Sequence, residues 1–363
     1  MSEYVPGLEK VVAVETEISF LDVVNEKIVV RGYDLIDLAK KKIYMDIIPL
    51  LLTGQLPNTE ERVKLEQEIT KQSALPDSLI QIVKQLPKTI HPMDALRTGI
   101  SALAGYDDSL DDQSTEKNIH RAFILLGQIP MLISLIHHRN IIELPSDLTY
   151  AGRFLYAMVG SRPTPLAERI FDQTLILYSE HELPNSTFSA RVIASTLTDL
   201  YGALTGAVAS LKGPLHGGAN EAVMQMLQAV QNKEELKELI IAKLMRRERV
   251  MGFGHRVYMR KADPRAVLLK QSLAELSKEK KRKDLYDLCI YGEQIMKQEK
   301  NLYPNLDYYA APIFHLLGLP TPLFTPIFFA SRTAGLCAHV IEQQQKNRLF
   351  RPRVRYIGST LID

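Results

Sequence analysis

Two histidines of this chain lie in glycine-rich segments, although most of the surrounding sequence favours helix. His216 is part of the run KGPLHGGAN at 212–220, and His255 directly follows the run MGFG at 251–254. Glycine and proline in such runs mark backbone that turns tightly or comes close to another group. We therefore predict that these histidines lie on rigid turns, where an imidazole can donate or accept a proton.

A third chemically suggestive residue, Asp307, lies in the aromatic and proline-broken segment 303–309. A partly desolvated aspartate has a raised pKa and becomes a usable general base. Removing a proton from a carbon beside a carbonyl requires such a base, together with a hydrogen-bond donor to the carbonyl oxygen. Asp307 and the two histidines could divide these roles. The alternative is that Asp307 merely caps a helix.

Three arginines lie beside Pro, Ser or Thr in otherwise apolar sequence, namely Arg265, Arg332 and Arg351. The guanidinium fork of arginine is the usual partner of a carboxylate, because it can donate two parallel hydrogen bonds. Several such forks indicate a substrate with more than one carboxylate. Arg332 could equally pair with a carboxylate at the edge of the core.

Composition excludes several classes of protein. The chain has 363 residues and a formal net charge of +2, so it has no general polycationic character that would favour nucleic acid. The chain has two cysteines, Cys289 and Cys337, which is too few for a disulfide framework or a thiolate metal site. Such a low cysteine content is consistent with a reducing cytoplasm. The N-terminus does not resemble a signal peptide, and we expect that no apolar run reaches the length needed to span a bilayer. We expect a cytoplasmic protein without a membrane anchor.

The elements that position these residues are predicted to be mainly helical. Alternating β-branched runs at 11–18 and 27–31 indicate a small N-terminal hairpin. Apolar residues then recur at helical spacing. The predicted helices are 34–41, 44–53, 59–72, 76–85, 92–103, 118–126, 132–138, 150–159, 166–178, 189–209, 220–230, 233–249 and 271–283. The fold class is therefore all-α.

The length of the chain exceeds that of a typical single core, which favours two domains. A more polar region at 218–318 is predicted to form a small domain. It would be inserted into a large helical domain made of 1–217 and 319–363. A cleft would then lie between the domains, with His216 close to the hinge.

Five segments together resemble the citrate synthase family, and their order and spacing agree along nearly the whole chain. These segments are 212–222, 251–265, 303–309, 331–342 and 348–358. The sequences at 181–188 and 307–312 are also similar to the short bacterial forms, notably a branch that makes 2-methylcitrate as well as citrate. The resemblance implies a mostly helical homodimer whose large and small domains close on the substrates.

The resemblance also implies roles for individual residues. His216 would polarise the thioester carbonyl of acyl-CoA, Asp307 would take the α-proton, and His255 would donate to the keto oxygen of oxaloacetate. Three further residues would bind oxaloacetate, and a fourth would reach into the neighbouring subunit's site. The oxaloacetate-binding residues are His181, Arg265 and Arg332, and the shared residue is Arg351.

Residues of the loop 249–253 are similar to the CoA-binding segment of the family, where glycine permits close approach of the backbone. They are Arg249, Val250, Met251, Gly252 and Phe253. The stretch 259–262 before Asp263 is one residue longer than in some members of the family. The resemblance implies acyl-CoA as co-substrate and neither a metal nor a redox cofactor.

The implied reaction is condensation of acetyl-CoA or propionyl-CoA with oxaloacetate, giving citrate or 2-methylcitrate and free CoA. One alternative is a dedicated citrate synthase that is strict for acetyl-CoA. A metal-dependent hydrolase could instead use His181, His216, His255 and Asp307 as ligands, although no His-Glu-x-x-His motif supports it. The last alternative is a helical binding protein that has kept the fold without catalysis.

Overall fold

The computed structural model describes residues 4–254 and 262–359, so His255 lies outside the described residues. The described part is predominantly α-helical with a small antiparallel sheet, which confirms the predicted fold class. The strands are β1 (Ser19–Asp22), β2 (Lys27–Val30) and β3 (Tyr33–Asp34). The helices are α1 (Leu35–Lys41), α2 (Tyr44–Thr53), α3 (Thr59–Lys71), α4 (Asp77–Gln85), α5 (Pro92–Leu103), α6 (Thr115–His138), α7 (Tyr150–Val159), α8 (Pro165–Ser179), α9 (Asn185–Ala194), α10 (Leu200–Lys212), α11 (Ala219–Gln228), α12 (Lys233–Met245), α13 (Pro264–Glu279), α14 (Lys283–Lys300), α15 (Leu306–Leu316) and α16 (Phe324–Gln345).

Many of these helices begin where a polar side chain accepts a hydrogen bond from a backbone N–H of the first turn. Such a cap satisfies a donor that has no partner inside the helix. Because caps can be read from sequence, several predicted boundaries agree with the structure to within one or two residues. The capping residues include Asp34, Asn58, His91, Ser114, Thr149, Thr164, Asp199, Asn232, Asp263 and Asn305.

The N-terminal hairpin is present, but its first strand was placed wrongly. Residues 11–18 form no strand, and β1 pairs with β2 in a register that sets Ser19 opposite Val30 and Asp22 opposite Lys27. The carboxylate of Asp22 accepts from the backbone N–H (3.0 Å) and the side-chain amide (2.7 Å) of Asn25, which closes the turn. This local turn chemistry, rather than the alternation at 11–18, decides which residues pair.

Four predicted helices also require correction. The predicted helices 118–126 and 132–138 are one helix, α6, which continues through the buried Pro130 because apolar packing on both sides offsets the lost hydrogen bond. The predicted helix 189–209 is two helices, α9 and α10, separated by Leu197 at φ +64°. The predicted helix 271–283 combines most of α13 with the start of α14.

Helix α6 is long and apolar enough to cross a membrane, with a mean hydropathy of 1.7 over its most apolar window. This corrects the expectation that no apolar run reaches that length. However, 78% of the window is buried inside the fold, which is typical of the core helix of a globular protein.

Helix α16 lies at the centre of the large helical core and contacts α2, α6, α8, α9 and α10. Nearly every side chain from Phe324 to Ile341 is buried, including the charged Arg332. Helices α11 and α13 both pack on α15, and they contact this core through α16 and α8 respectively. The described site residues lie on or near these helices, apart from Arg351.

Candidate active site

His216 lies on the turn 213–218 between α10 and α11, as the glycine-rich run predicts. The backbone N–H of His216 donates to the Gly213 carbonyl, and that of Gly217 donates to the Leu211 carbonyl, both at 2.9 Å. A Cβ at position 217 would lie 2.3 Å from the Leu211 carbonyl oxygen. Glycine is therefore required at this position, because the backbone passes too close for any side chain.

The imidazole of His216 is held by Ser186 at the start of α9. Its Nε2 accepts from the Ser186 backbone N–H at 3.2 Å and lies 2.9 Å from the Ser186 hydroxyl. A backbone N–H can only donate, so the neutral ring carries its proton on Nδ1. Burial, and to a lesser degree the charge of Arg332, lowers the pKa of His216 to about 4. At neutral pH the side chain is therefore an uncharged hydrogen-bond donor.

Asp307 lies in the first turn of α15, but Asn305 is the residue that caps this helix. The alternative that Asp307 is the cap is therefore wrong. Its Oδ1 instead accepts a hydrogen bond of 2.7 Å from the hydroxyl of the buried Tyr178. Burial raises the pKa of Asp307 to about 6, against the opposing effects of Tyr178, Arg265 and Arg332. A carboxylate of this basicity suits proton abstraction near neutral pH.

Arg332 lies on α16 with 2% of its surface exposed. Its Nε donates to the Tyr178 carbonyl, and its guanidinium lies 5.0 Å from the centre of the Phe328 ring. Burial lowers the pKa of Arg332 to about 10, so the group remains charged at neutral pH. Its Nη1 has no hydrogen-bond partner within the part of the chain that the structure describes. A buried cationic donor of this kind is typically satisfied by an anionic ligand.

Arg265 follows the capping residue of α13 and is also buried. Its Nε and Nη2 donate to the two carboxylate oxygens of Asp263, at 3.1 and 2.8 Å. This paired fork fixes the orientation of the guanidinium at the N-terminal end of α13. The charges of Arg265 and Arg332 both lower the pKa of Asp307, so both arginines stabilise the ionised form of this carboxylate.

His181 is buried in the turn after α8, and the small N-terminal sheet supports this turn. The Ser19 hydroxyl donates to Glu180 at 2.8 Å and accepts from the backbone N–H of Glu182 at 3.0 Å. Burial alone would raise the pKa of Glu180, but His339 and Arg332 hold this pKa below its usual value. The strand β1 thus helps to place His181, a role that could not be read from the sequence.

The loop 249–253 is anchored beside the segment that leads into α15. Gly252 has φ +86°, and a Cβ there would lie 2.6 Å from a methyl carbon of Val223. The ring of Phe253 lies 4.3 Å from that of Tyr308, the neighbour of Asp307. Arg249 is exposed and Val250 is buried. The glycine loop and the candidate base therefore belong to one packed unit.

Phe328 lies beside two of the predicted residues, His216 and Arg332, and beside Tyr178. Its ring centre lies 4.5 Å from that of Tyr178 and 6.5 Å from that of His216. The structure thus brings together His216, Asp307 and Arg332, with Arg265 linked to them electrostatically. Arg351 lies apart from this cluster in the exposed C-terminal segment, where its Nη1 donates to the Pro352 carbonyl at 3.0 Å.

Sequence reasoning missed the residues that hold the catalytic candidates in place, namely Tyr178, Ser186 and Asn305. Asn305 had a readable signal, because Asn two residues before Asp307 is a typical helix cap. Tyr178 and Ser186 gave no comparable signal, since each acts on a residue far away in the chain. Across residues 4–254 and 262–359, no group of three or more His, Cys, Asp or Glu side chains could hold a metal ion.

Comparison with known proteins agrees with this geometry. The chain matches a family model described as citrate synthase, C-terminal domain, over residues 7–353. It is 57% identical to a citrate synthase of Heyndrickxia coagulans, over 99% of this chain and 97% of that protein. It is 54% identical to a citrate/2-methylcitrate synthase of Bacillus subtilis, over 98% of this chain and 96% of that protein.

A solved structure extends the comparison to the fold. The citrate synthase of the thermophilic archaeon Thermoplasma acidophilum, in a ternary complex with carboxymethyl coenzyme A and oxaloacetate, superposes with a TM-score of 0.93. The two sequences are 30% identical, and the alignment covers 100% of this chain and 98% of that one. From these matches and the arrangement of its site, we conclude that the chain belongs to the citrate synthase family.

Proposed function

We propose that this protein condenses acyl-CoA with oxaloacetate and releases CoA, using acetyl-CoA, propionyl-CoA or both. The observation that carries this proposal is the presence, around Phe328 and Tyr178, of a neutral imidazole, a carboxylate of raised pKa and buried arginines. Carbon acid chemistry needs such a donor and such a base, and a dicarboxylate needs the arginines. The names of the relatives from H. coagulans and B. subtilis support the same reaction.

In the proposed mechanism, Asp307 removes a proton from the α-carbon of the acyl group while His216 donates from Nδ1 to the thioester oxygen. The resulting enol carbon attacks the keto carbon of oxaloacetate and forms the new C–C bond. The keto oxygen takes up a proton, in a role that we assign to His255. Water then cleaves the thioester, which gives a free carboxylate and the CoA thiol and makes the overall reaction effectively irreversible.

We assign oxaloacetate binding to His181, Arg265 and Arg332, and CoA binding to the loop 249–253. The unpartnered Nη1 of Arg332 supports the first assignment, because a substrate carboxylate would satisfy it. The packing of Phe253 on Tyr308, the neighbour of Asp307, supports the second, because it places the loop beside the candidate base. All the proposed proton transfers use protein side chains, with acyl-CoA as a co-substrate and with neither a metal nor a redox cofactor.

We prefer this proposal to a metal-dependent hydrolase and to a binding protein without catalysis. A hydrolase that used Asp307 and His216 as metal ligands is less well supported, because the described residues contain no group of three or more His, Cys, Asp or Glu side chains that could hold a metal ion. A binding protein without catalysis would not need to raise the pKa of a carboxylate at its site. We place the enzyme in the cytoplasm, as two buried free cysteines in the described chain support.

We further propose that residues 218–318 form a small domain that closes on a large domain made of 1–217 and 319–363. The enzyme would act as a homodimer, with Arg351 of each subunit reaching the partner's site. The exposed position of Arg351, outside the contacts that join the other site residues, supports this arrangement. No nucleic acid or membrane takes part in this function.

Subunit exchange tests the role of Arg351. Mixing His216→Ala with Arg351→Ala protein should restore about a quarter of wild-type activity, because random exchange of a C2 dimer makes half heterodimers with one complete site each. Free-thiol release from acyl-CoA and oxaloacetate measures the recovery. A mixture of His216→Ala with Asp307→Asn is the control, and it should stay inactive because both residues belong to one subunit's site. Absence of recovery despite demonstrated exchange would place Arg351 in its own subunit's site, or outside the site altogether.

Steady-state rates with the two thioesters test the choice of acyl group. We expect kcat/KM for propionyl-CoA to lie within roughly tenfold of that for acetyl-CoA, because one methylene in an apolar pocket is worth only about 1–3 kcal/mol. Ala310 and Ala311 support this expectation, since both are small and lie one helical turn after Asp307. A preference for acetyl-CoA of roughly a hundredfold would instead indicate a dedicated citrate synthase. Release of CoA from neither thioester would refute the proposed function.

A further inference from the structure

The side chain of Asn305 connects the helix that carries Asp307 to the glycine loop that leads to His255. Its Oδ1 accepts from the backbone N–H of Asp307, and its Nδ2 donates to the carbonyl of Gly254, each at 3.1 Å. Its backbone N–H also donates to the Gly252 carbonyl at 2.9 Å. One residue therefore contacts both the candidate base and the loop proposed to bind CoA.

The loop and the segment before α15 form a short antiparallel pair. Phe253 and Pro304 are bridge partners, and the Gly254 N–H donates to the Tyr303 carbonyl at 2.9 Å. The Phe253 ring packs on Tyr308, as described above. These contacts lie on both sides of Asn305, so a displacement of the loop is carried directly into the first turn of α15.

The conformation of this loop is also narrowly restricted. Gly252 and Gly254 both have positive φ, +86° and +75°, which other residues adopt only with strain. A Cβ at Gly252 would overlap Val223 and approach Tyr308 to 3.0 Å. The loop is thus expected to move together with residues 303–305 rather than to deform separately.

We propose that Asn305 is a positioning residue that couples occupation of the loop 249–253 by acyl-CoA to the placement of the Asp307 carboxylate. When acyl-CoA holds the loop, the Nδ2 bond to Gly254 fixes Asn305, and its Oδ1 then fixes the first turn of α15. Asn305 itself touches neither substrate nor reacting atom in this scheme. This inference rests on the proposed function, since it requires acyl-CoA at the loop and Asp307 as the base.

The substitution Asn305→Ser separates the two contacts. Serine is a good helix cap, so the bond to the Asp307 N–H is kept, but its side chain is too short to reach the Gly254 carbonyl. We expect KM for acyl-CoA to rise and kcat to fall, each by about three- to tenfold, the size expected for one lost hydrogen bond. The Kd of CoA measured by calorimetry should rise with KM, while the Kd of oxaloacetate stays unchanged and the Tm falls only slightly.

The matched control is Asn58→Ser, which makes the same change at the exposed cap of α3, where the Asn58 Oδ1 accepts from the Glu61 N–H at 3.0 Å. This variant should leave kcat and both Kd values at wild-type levels. If Asn305→Ser does not fold, Asn305→Asp provides a second test. It keeps the capping oxygen and replaces the donor to Gly254 with a repelling carboxylate oxygen, so KM for acyl-CoA should again rise.

Two outcomes would overturn the coupling. One is an Asn305→Ser enzyme with kcat and KM within about twofold of wild type, well below the loss expected for a hydrogen bond. The other is a fall in kcat and Tm with unchanged KM for acyl-CoA and unchanged Kd for CoA, since this pattern indicates a structural cap alone. In both cases the wild-type enzyme still releases CoA from acyl-CoA and oxaloacetate. An inactive wild-type enzyme would instead refute the proposed function, and the coupling with it.

Discussion

Replacement of Asp307 by Asn is expected to lower kcat by about 10²–10⁴-fold, the typical cost of losing a general base. The amide matches the carboxylate in shape and can still accept from the Tyr178 hydroxyl at its oxygen, so the surrounding packing should be kept. It cannot take up the α-proton, however. The loss should therefore appear in kcat, with the Kd of oxaloacetate nearly unchanged.

Two measurements check this expectation. Thiol release with saturating substrates gives kcat, and calorimetric titration with oxaloacetate gives Kd without turnover. A variant that keeps more than about a tenth of wild-type kcat would lie well outside the range for a general base, and the role of Asp307 would be wrong.

The pH dependence of kcat/KM for the wild-type enzyme should report the ionisation of Asp307. Asp307 must be ionised to act as a base, so kcat/KM should fall as the pH drops through its pKa of about 6. The Tyr178 hydrogen bond stabilises the ionised form and lowers this pKa, as do the charges of Arg265 and Arg332. Tyr178→Phe should therefore move the acid limb of the profile to higher pH. A limb that stays in place would show that another group controls it.

Replacement of His216 by Ala is expected to have the second largest effect, a fall in kcat of about 10²–10³-fold. The neutral imidazole donates from Nδ1 to an oxygen that becomes negative in the transition state, so its contribution is greater there than in the bound substrate. Burial keeps this ring neutral, with a pKa of about 4, and it should therefore add no ionisation of its own above pH 5.

Ser186→Ala is the matched control for this experiment. It removes the hydroxyl that lies 2.9 Å from the His216 Nε2 but keeps the backbone N–H that donates to the same atom. The tautomer is preserved, so we expect a loss of only a few-fold, the size of one neutral hydrogen bond. A His216→Ala enzyme with more than about a tenth of wild-type kcat would show that another group stabilises the developing charge.

Local features of the sequence determined the turn at His216, several helix boundaries and the candidate residues of the site. Position 217 must be glycine because its backbone lies against the carbonyl of Leu211, a near neighbour in sequence. The turn at His216 could therefore be predicted from a few neighbouring residues. The boundaries of α2 and α7 could be predicted because helix periodicity and capping are local. The aromatic surroundings of Asp307 correctly indicated a raised pKa. The resemblance to the citrate synthase family was likewise carried by short motifs in a fixed order.

Only the tertiary structure decided how these pieces act together. The hydroxyl of Tyr178 reaches Asp307 across 129 positions of sequence, and Ser186 reaches His216 across 30, so no local pattern reveals either contact. The continuity of α6 through Pro130 also depends on packing against distant elements, α16 among them. A pKa or a tautomer is set by every group that surrounds a side chain in space. The sequence could therefore supply the chemical candidates, whereas the fold determined which of them are buried, paired and charged.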